Sequence, residues 1–402
     1  MLDQSSDKHS AGYDSNSMRI AVVFMSLQFL GFFYFNGFRV VFPLILEKMS
    51  YSELQVVSNW ALIYTIGLFI SSLTRYPMGI VADRLTRKQN LTFATILISI
   101  SIFSILFTRN IIILSLSFAL MRTGNHLPPL LTRGYVNETD AVKQGRLNGY
   151  VTFIANLGGF LGPVIFAILL EVSIFNLVLF SNLILLALYI FYLVKIPAKK
   201  TKNTIPLKIF INDSLRELFH FKKVIILFVI VGIVNGVINY LQVPYALYVL
   251  HLSGSQTSFI VGVVMLLTTV FILFAGQLTD TLGIRLTIYI GLFIIILGSL
   301  IQILDKTNVL FYFISQLLIT GGVLLGTNSL VTYITLHSNN ATTASIFGGT
   351  SSFYFFGSSI IPIFTQILYL QDPLLPYWLM IFISAIIFPL GFIINRKTNN
   401  ND

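Results

Sequence analysis

The chain has 402 residues, 55% of them hydrophobic and 10% charged, with a mean hydropathy of +0.85 and a formal net charge of +10. Soluble domains carry roughly 25% charged residues, so the composition excludes a water-soluble globule, and its aromatic and aliphatic content excludes a disordered chain. A basic surplus in a soluble protein would point to nucleic acid; in a membrane protein it marks one side of the bilayer.

Cysteine is absent, which excludes disulfides, thiolate metal sites and thiol catalysis. Residues 1–18 are polar and mixed in charge, without the basic start, short apolar core and small-residue cleavage site of a secretory signal. They are expected to form a cytoplasmic tail, with the first span acting as the insertion signal. Twelve apolar segments follow, at 20–46, 54–76, 91–108, 110–132, 147–170, 174–195, 223–250, 257–278, 286–304, 308–336, 343–370 and 374–394. Most pass the ~18-residue threshold for a spanning helix. Such continuous runs exclude a transmembrane barrel, whose strands alternate over ~10 residues. The expected class is an all-α polytopic membrane protein with 12 transmembrane helices. The expected division is a tail over 1–18, six helices over 19–195, a cytoplasmic linker over 196–222, six helices over 223–395 and a tail over 396–402.

The 25 basic residues orient the spans. With the N-terminus inside, 20 fall on the inner side, Arg75 counted among them, and 3 (Lys48, Arg109, Lys306) on the outer. Arg39 and Arg122 fall within spans. The skew follows the preference of cytoplasmic loops for Lys and Arg and places both termini in the cytoplasm. The sequons at Asn90, Asn137, Asn212 and Asn340 then face inward, away from glycosylation. The linker, with a surface helix expected near 205–221, reads as a basic connection near acidic headgroups or as a regulatory segment.

A loop motif repeats. Gly79, Asp83, Arg84, Arg87 and Lys88 follow the second span; Gly276, Asp280 and Arg285 follow the eighth. Gly79/Asp83/Lys88 match Gly276/Asp280/Arg285 at a constant offset of 197 residues, close to half the chain. Glycine at a helix end allows a tight turn, and an aspartate can accept from the N–H groups at another helix's start. In the fifth span stands Gly158-Gly159-Phe-Leu-Gly162-Pro163, and in the fourth Arg122-Thr-Gly124.

These residues resemble the major facilitator superfamily. The first loop is similar to that family's Gly-x-x-x-Asp-Arg-x-Gly-Arg-Arg/Lys signature, departing at Thr86, which replaces Gly; the second loop resembles the weaker copy of its C-terminal half. Gly158, Gly162 and Pro163 resemble the Gly-x-x-x-Gly-Pro motif of antiporters, although Phe166-Ala167 stand where a later Gly pair belongs. The resemblance implies two pseudo-symmetric six-helix bundles and alternating access around a central cavity lined mainly by spans 1, 4, 7 and 10. It also implies that Asp83 meets the start of span 11, around Thr342 to Ile346, and that Asp280 meets the start of span 5, near Arg146.

Ionisable groups within spans cost roughly 2.5–3.5 kcal/mol on insertion scales and are functional candidates. Arg122 carries His126 at i+4 on one helical face. Gln28, Asn36 and Arg39 share a stripe of span 1; Asn235, Asn239 and Gln242 share a face of span 7; span 10 offers Thr327, Asn328, Thr332 and Tyr333. Each has a structural alternative: interhelical bonding for Arg122, His126 and the amides, and snorkelling to headgroups for Arg39. The 36 Phe and 18 Tyr read as lipid-facing packing and interfacial belts. No Asp or Glu falls mid-span, and Glu47 and Glu171 sit at span ends. That disfavours ordinary drug/proton antiport and leaves facilitated diffusion, exchange, or proton coupling through His126 or an end-of-span carboxylate.

The expected function is transport of a small molecule, an anionic or polar organic solute bound near Arg122, with efflux of amphipathic compounds as the alternative. The expected partners are the solute and the lipid bilayer, without nucleic acid, cofactor or metal, in a monomer of the plasma membrane. An enzyme finds no support: there is no His-Glu-x-x-His, Gly-x-Ser-x-Gly or phosphate-binding Gly loop.

Overall fold

Backbone at membrane depth has no water to bond, so long apolar runs must satisfy their own N–H and C=O groups. In the computed structural model, which describes residues 15–137, 141–196, 206–337 and 343–390, they do so as helices, and the described residues contain no strand. The helices are α1 (Ser15–Lys48), α2 (Glu53–Arg84), α3 (Arg87–Phe107), α4 (Ile111–Gly124), α5 (Leu127–Asn137), α6 (Ala141–Val172) and α7 (Ile174–Lys195). After them come α8 (Leu207–His220), α9 (Lys222–Tyr248), α10 (Gly254–Leu304), α11 (Val309–His337), α12 (Thr343–Gln371) and α13 (Leu375–Leu390). Ten stretches among the described residues are long and apolar enough to cross a membrane, two of them in α10. With α4–α5 and α13 as shorter crossings, the chain is consistent with twelve. The two ends of the bundle differ. One, the basic end, carries Arg84, Arg87, Lys88, Lys222, Lys223 and Arg285; the opposite end carries Lys48, Arg109 and Lys306.

Two boundaries differ from the sequence expectation. The fourth span is not one helix: it breaks at Asn125–His126 between α4 and α5. Pro128 and Pro129 lack N–H groups, so the carbonyls of Gly124 and Asn125 have no i+4 donor and the helix restarts. The eighth and ninth spans run as α10, interrupted at Gly283, whose φ of 78° and ψ of 161° are unsuited to a residue with a side chain. The surface helix expected in the linker is present as α8.

α1 to α7 make up the half of the chain before α8, and α9 to α13 the half after it. α2 packs along α12 and α6 along α10, the two principal seams between the halves. Leu116, Phe180, Leu183, Phe293 and Phe382 stand on the outside, as a hydrocarbon surround permits. Many rings that sequence assigns to the lipid face are instead interior. Phe38, Phe42, Trp60, Tyr64, Tyr240, Tyr245, Tyr312 and Tyr377 are almost wholly buried. Phe42, Trp60, Tyr64 and Phe118 pack edge to face and stacked, at centroid separations of 5.0–6.2 Å. Rings fill wide gaps between helices with few rotatable bonds, which suits a closed wall.

α1 and α6 lie unusually close. A Cβ on Gly158 would strike the Phe29 carbonyl, and one on Gly162 the Phe33 carbonyl. Small residues that let backbones touch are how helices associate where lipid is as apolar as leucine. Gly162→Ala must therefore push α6 off α1, at about 1–3 kcal/mol. It should lower the melting temperature of the detergent-solubilised protein by several degrees, whereas Gly31→Ala, whose Cβ would meet nothing nearer than 3.6 Å, should leave it in place.

Candidate functional site

A cavity of about 240 Å³ lies between the two halves. α1 contributes Gln28, Phe35 and Asn36; α2, Tyr64 and Arg75; the α4–α5 break, Arg122, Asn125 and His126. α9 adds Asn235 and Asn239; α11, Thr327 and Asn328; α12, Ser351, Tyr354 and Phe355. None of its lining residues is Asp or Glu. The broken helix borders the cavity, as irregular backbone at this depth survives only where it is buried in protein or lines a cavity. Both side-chain polar atoms of Asn125, and those of Asn36, are buried without a partner, as is Asn328 Nδ2. Such orphaned groups on a cavity wall are donors and acceptors offered to an occupant.

Arg75 is the residue that sequence misplaces. Counted with the loop cations, it lies inside α2, 7% exposed, two turns before the helix ends. The signal for this was the apolar Tyr76–Val81 segment that follows it. Its Nε donates to Ser351 Oγ of α12 at 2.5 Å and its Nη1 to His126 Nδ1 at 2.6 Å. Arg122 points into the same space. Its guanidinium stacks over Phe35 at 3.6 Å and over Phe355 at 4.7 Å, while its Nε and Nη2 have no hydrogen-bond partner. Arg75 lies over the same Phe355 ring at 4.6 Å. Sharing one ring keeps the two guanidiniums within roughly 9 Å, where like charges repel by about 2 kcal/mol at an effective dielectric of ~20. Cation–π contacts worth ~0.5–2 kcal/mol each offset part of that cost. An anion between them would relieve the remainder.

Arg39 and Gln242 are not on the cavity wall. Arg39 is 1% exposed, so it does not snorkel. Its Nη1 donates to the Asn239 side-chain oxygen and to Gln242 Oε1 at 2.8 Å, joining α1 to α9. Asn239 in turn donates to Asn235 Oδ1 at 2.7 Å, so the three amides do share one face of α9. Nearby, Trp60 Nε1 donates to the Tyr240 carbonyl at 3.3 Å and Tyr240 Oη to the Val57 carbonyl at 3.1 Å. These bonds close the opposite end of the cavity between the halves.

At the basic end, Asp83 Oδ2 accepts from Ser345 N at 3.0 Å and Ser345 Oγ at 2.6 Å. A carboxylate thus sits at the N-terminus of α12, where the helix dipole favours it. Gly348 brings α12 within reach of the Arg75 carbonyl, 2.8 Å from where a Cβ would stand, and 3.4 Å from Gly79 Cα. Arg84 ends α2, and Arg87 and Lys88 begin α3. Thr86, which stands where the family signature has Gly, is the N-cap of α3 with φ −65°; it accepts from Gln89 N at 3.3 Å. No positive φ is needed there, so the glycine is dispensable. Its counterpart 197 residues on is Gly283, where φ is positive. The matching contact of Asp280 with the region of Arg146, and the packing of Gly276, fall on side chains outside the described residues. Gly158, Gly162 and Pro163 lie in α6, the two glycines against the α1 backbone, and Gly159 between them faces Asn36.

No curated protein sequence matches the chain. Solved structures share its fold. The human organic anion transporter MFSD10 (TETRAN) superposes with a TM-score of 0.74 at 12% identity, covering 94% of this chain and 100% of that one. A bacterial homologue of the human lysosomal transporter Spinster, inward-facing and unoccupied, gives 0.71 at 14%, covering 95% and 97%. A bacterial homologue of the iron transporter ferroportin, outward-facing with soaked iron, gives 0.70 at 14%, covering 94% and 100%. At these identities the likeness concerns the fold alone. The sequence itself matches the family model over residues 24–362, and the chain belongs to the Major Facilitator Superfamily of multi-pass membrane transporters.

Proposed function

We propose that this transporter moves a small organic anion with an aromatic or other apolar body by alternating access, binding its charge between Arg122 and Arg75. The observation that carries this reading is a cavity holding two guanidiniums and no carboxylate, with two nitrogens of Arg122 unpartnered. Phe35, Tyr64, Tyr354 and Phe355 supply apolar faces beside that charge. A volume of about 240 Å³ lies just below the ~300–1,000 Å³ span of ligand sites and suits a small solute. The aromatic lining also supports the second reading, efflux of amphipathic compounds, and the two differ in the charge they prefer. The skewed loop charge supports cytoplasmic placement of both termini, and the plasma membrane is the setting proposed.

Two ligands of one shape and opposite charge separate these readings. Proteoliposomes should accumulate benzenesulfonate and not benzyltrimethylammonium, and benzenesulfonate should raise the protein's melting temperature by mass action. Arg122→Ala should cut benzenesulfonate uptake about 10–100-fold, the worth of a charge-assisted hydrogen bond of ~1.5–3 kcal/mol. Uptake of the cation alone would overturn the anion reading.

In the same reading the Asp83–Ser345 contact clasps α2 to α12 while the basic end is closed. Asp83→Asn keeps the shape and removes the charge at the α12 dipole. Expression and melting temperature should hold while the transport rate falls on the order of tenfold, as loss of ~1.4 kcal/mol from one of two states would give. A wild-type rate in this variant would dismiss the clasp.

A further inference from the structure

We infer that His126 is the proton site of this transporter, and that the bound anion is what permits it to be protonated, so that one anion and one proton cross together. This rests on the anion reading above and adds the coupling.

The hydrogen bonds assign the ring's protons. Arg75 Nη1 can only donate, so His126 Nδ1, at 2.6 Å from it, accepts. His126 Nε2 faces the Ser71 carbonyl at 3.2 Å, which can only accept, and Ser71 Oγ at 2.7 Å. Nε2 therefore carries the hydrogen, Nδ1 carries the lone pair, and the imidazole is neutral. It is also 2% exposed and packs tilted, at 5.8 Å, against Phe355, the ring that bears both guanidiniums.

The groups facing His126 are thus Ser71 and Arg75 from α2, Arg122 from its own span, and Phe355 from α12, with Tyr64 and Tyr354 beyond. The charged ones are both cations, and no lining residue is acidic. In the empty cavity a third positive charge has nothing to balance it, and the ring stays neutral. An anion seated between Arg75 and Arg122 reverses this. It cancels local charge and draws the Arg75 guanidinium toward itself, away from Nδ1. The Nδ1 lone pair then takes a proton from the aqueous phase; the Arg75–Nδ1 hydrogen bond is lost and an imidazolium N–H takes its place beside the anion. Arg75 also bonds Ser351 of α12, so the same step loosens a contact between the halves. By linkage, the proton and the anion then favour each other's binding.

Benzenesulfonate is the fitting probe, because it stays ionised throughout the accessible pH range and cannot bring the proton itself. Binding to the purified full chain is measured calorimetrically at pH 7 in buffers of different ionisation enthalpy. Wild type should take up close to one proton per anion, and its affinity should rise up to tenfold for each unit the pH falls. His126→Gln keeps an acceptor for Arg75 and a donor for Ser71; it should bind more weakly, take up no proton and show a flat pH dependence. In proteoliposomes a gradient of one pH unit should drive about tenfold accumulation by wild type and none by the variant. Binding to wild type without proton uptake overturns the coupling and leaves the anion reading standing. Proton uptake that survives in His126→Gln overturns the assignment to this ring. Absence of benzenesulfonate binding to wild type overturns the anion reading and the coupling with it.

Discussion

The structure is organised around buried guanidinium groups that no carboxylate balances. Arg39, Arg75 and Arg122 all lie within the helix bundle, at most 7% exposed. A cation at that depth is costly unless something holds it. Each is held differently. Arg39 donates through Nη1 to amide oxygens of α9, Arg75 bonds a serine and a histidine, and Arg122 lies over two aromatic faces. Nε and Nη2 are unpartnered in both Arg39 and Arg122, so what each borders sorts them: Arg39 is enclosed between α1 and α9, whereas Arg122 lines the cavity.

The rest of the molecule makes this arrangement tolerable. Helix backbones must approach closely enough to shield the charges from lipid, and the glycines of α6 against the carbonyls of α1 allow it. One helix must give up its regular ladder to border the cavity, and the Pro128-Pro129 pair provides that break. Rings packed between α2, α4 and α1 close the end beyond Arg39. The seam of α2 with α12 carries Asp83, Arg75 and Ser351, so the Asp83–Ser345 contact and the cavity share a helix pair.

Residue pattern alone was enough for the fold class and the family. A spanning helix needs little more than an apolar run, and loop charge and an internal offset of 197 residues are one-dimensional properties. The same pattern singled out Arg122, His126, Asn36, Asn235 and Asn328, which line the cavity, because a polar group in an apolar run is conspicuous whatever surrounds it. Thr86 was visible as a departure from the family signature, yet only its negative φ explains why it is harmless.

Tertiary structure decided which polar groups meet. Arg75 and His126 are 51 residues apart, and nothing along the chain links them until α2 packs beside the α4–α5 break. Arg39 and Asn239 are 200 apart, and only the packing of α1 on α9 turns a cavity candidate into a seal. The aromatic residues likewise move from the lipid face, where composition puts them, to the interior, because ring placement follows the gaps between helices. Sequence specifies what each span can tolerate as it enters the bilayer. The partner that a buried charge finds there depends on distances between helices, and those exist only once the helices have packed.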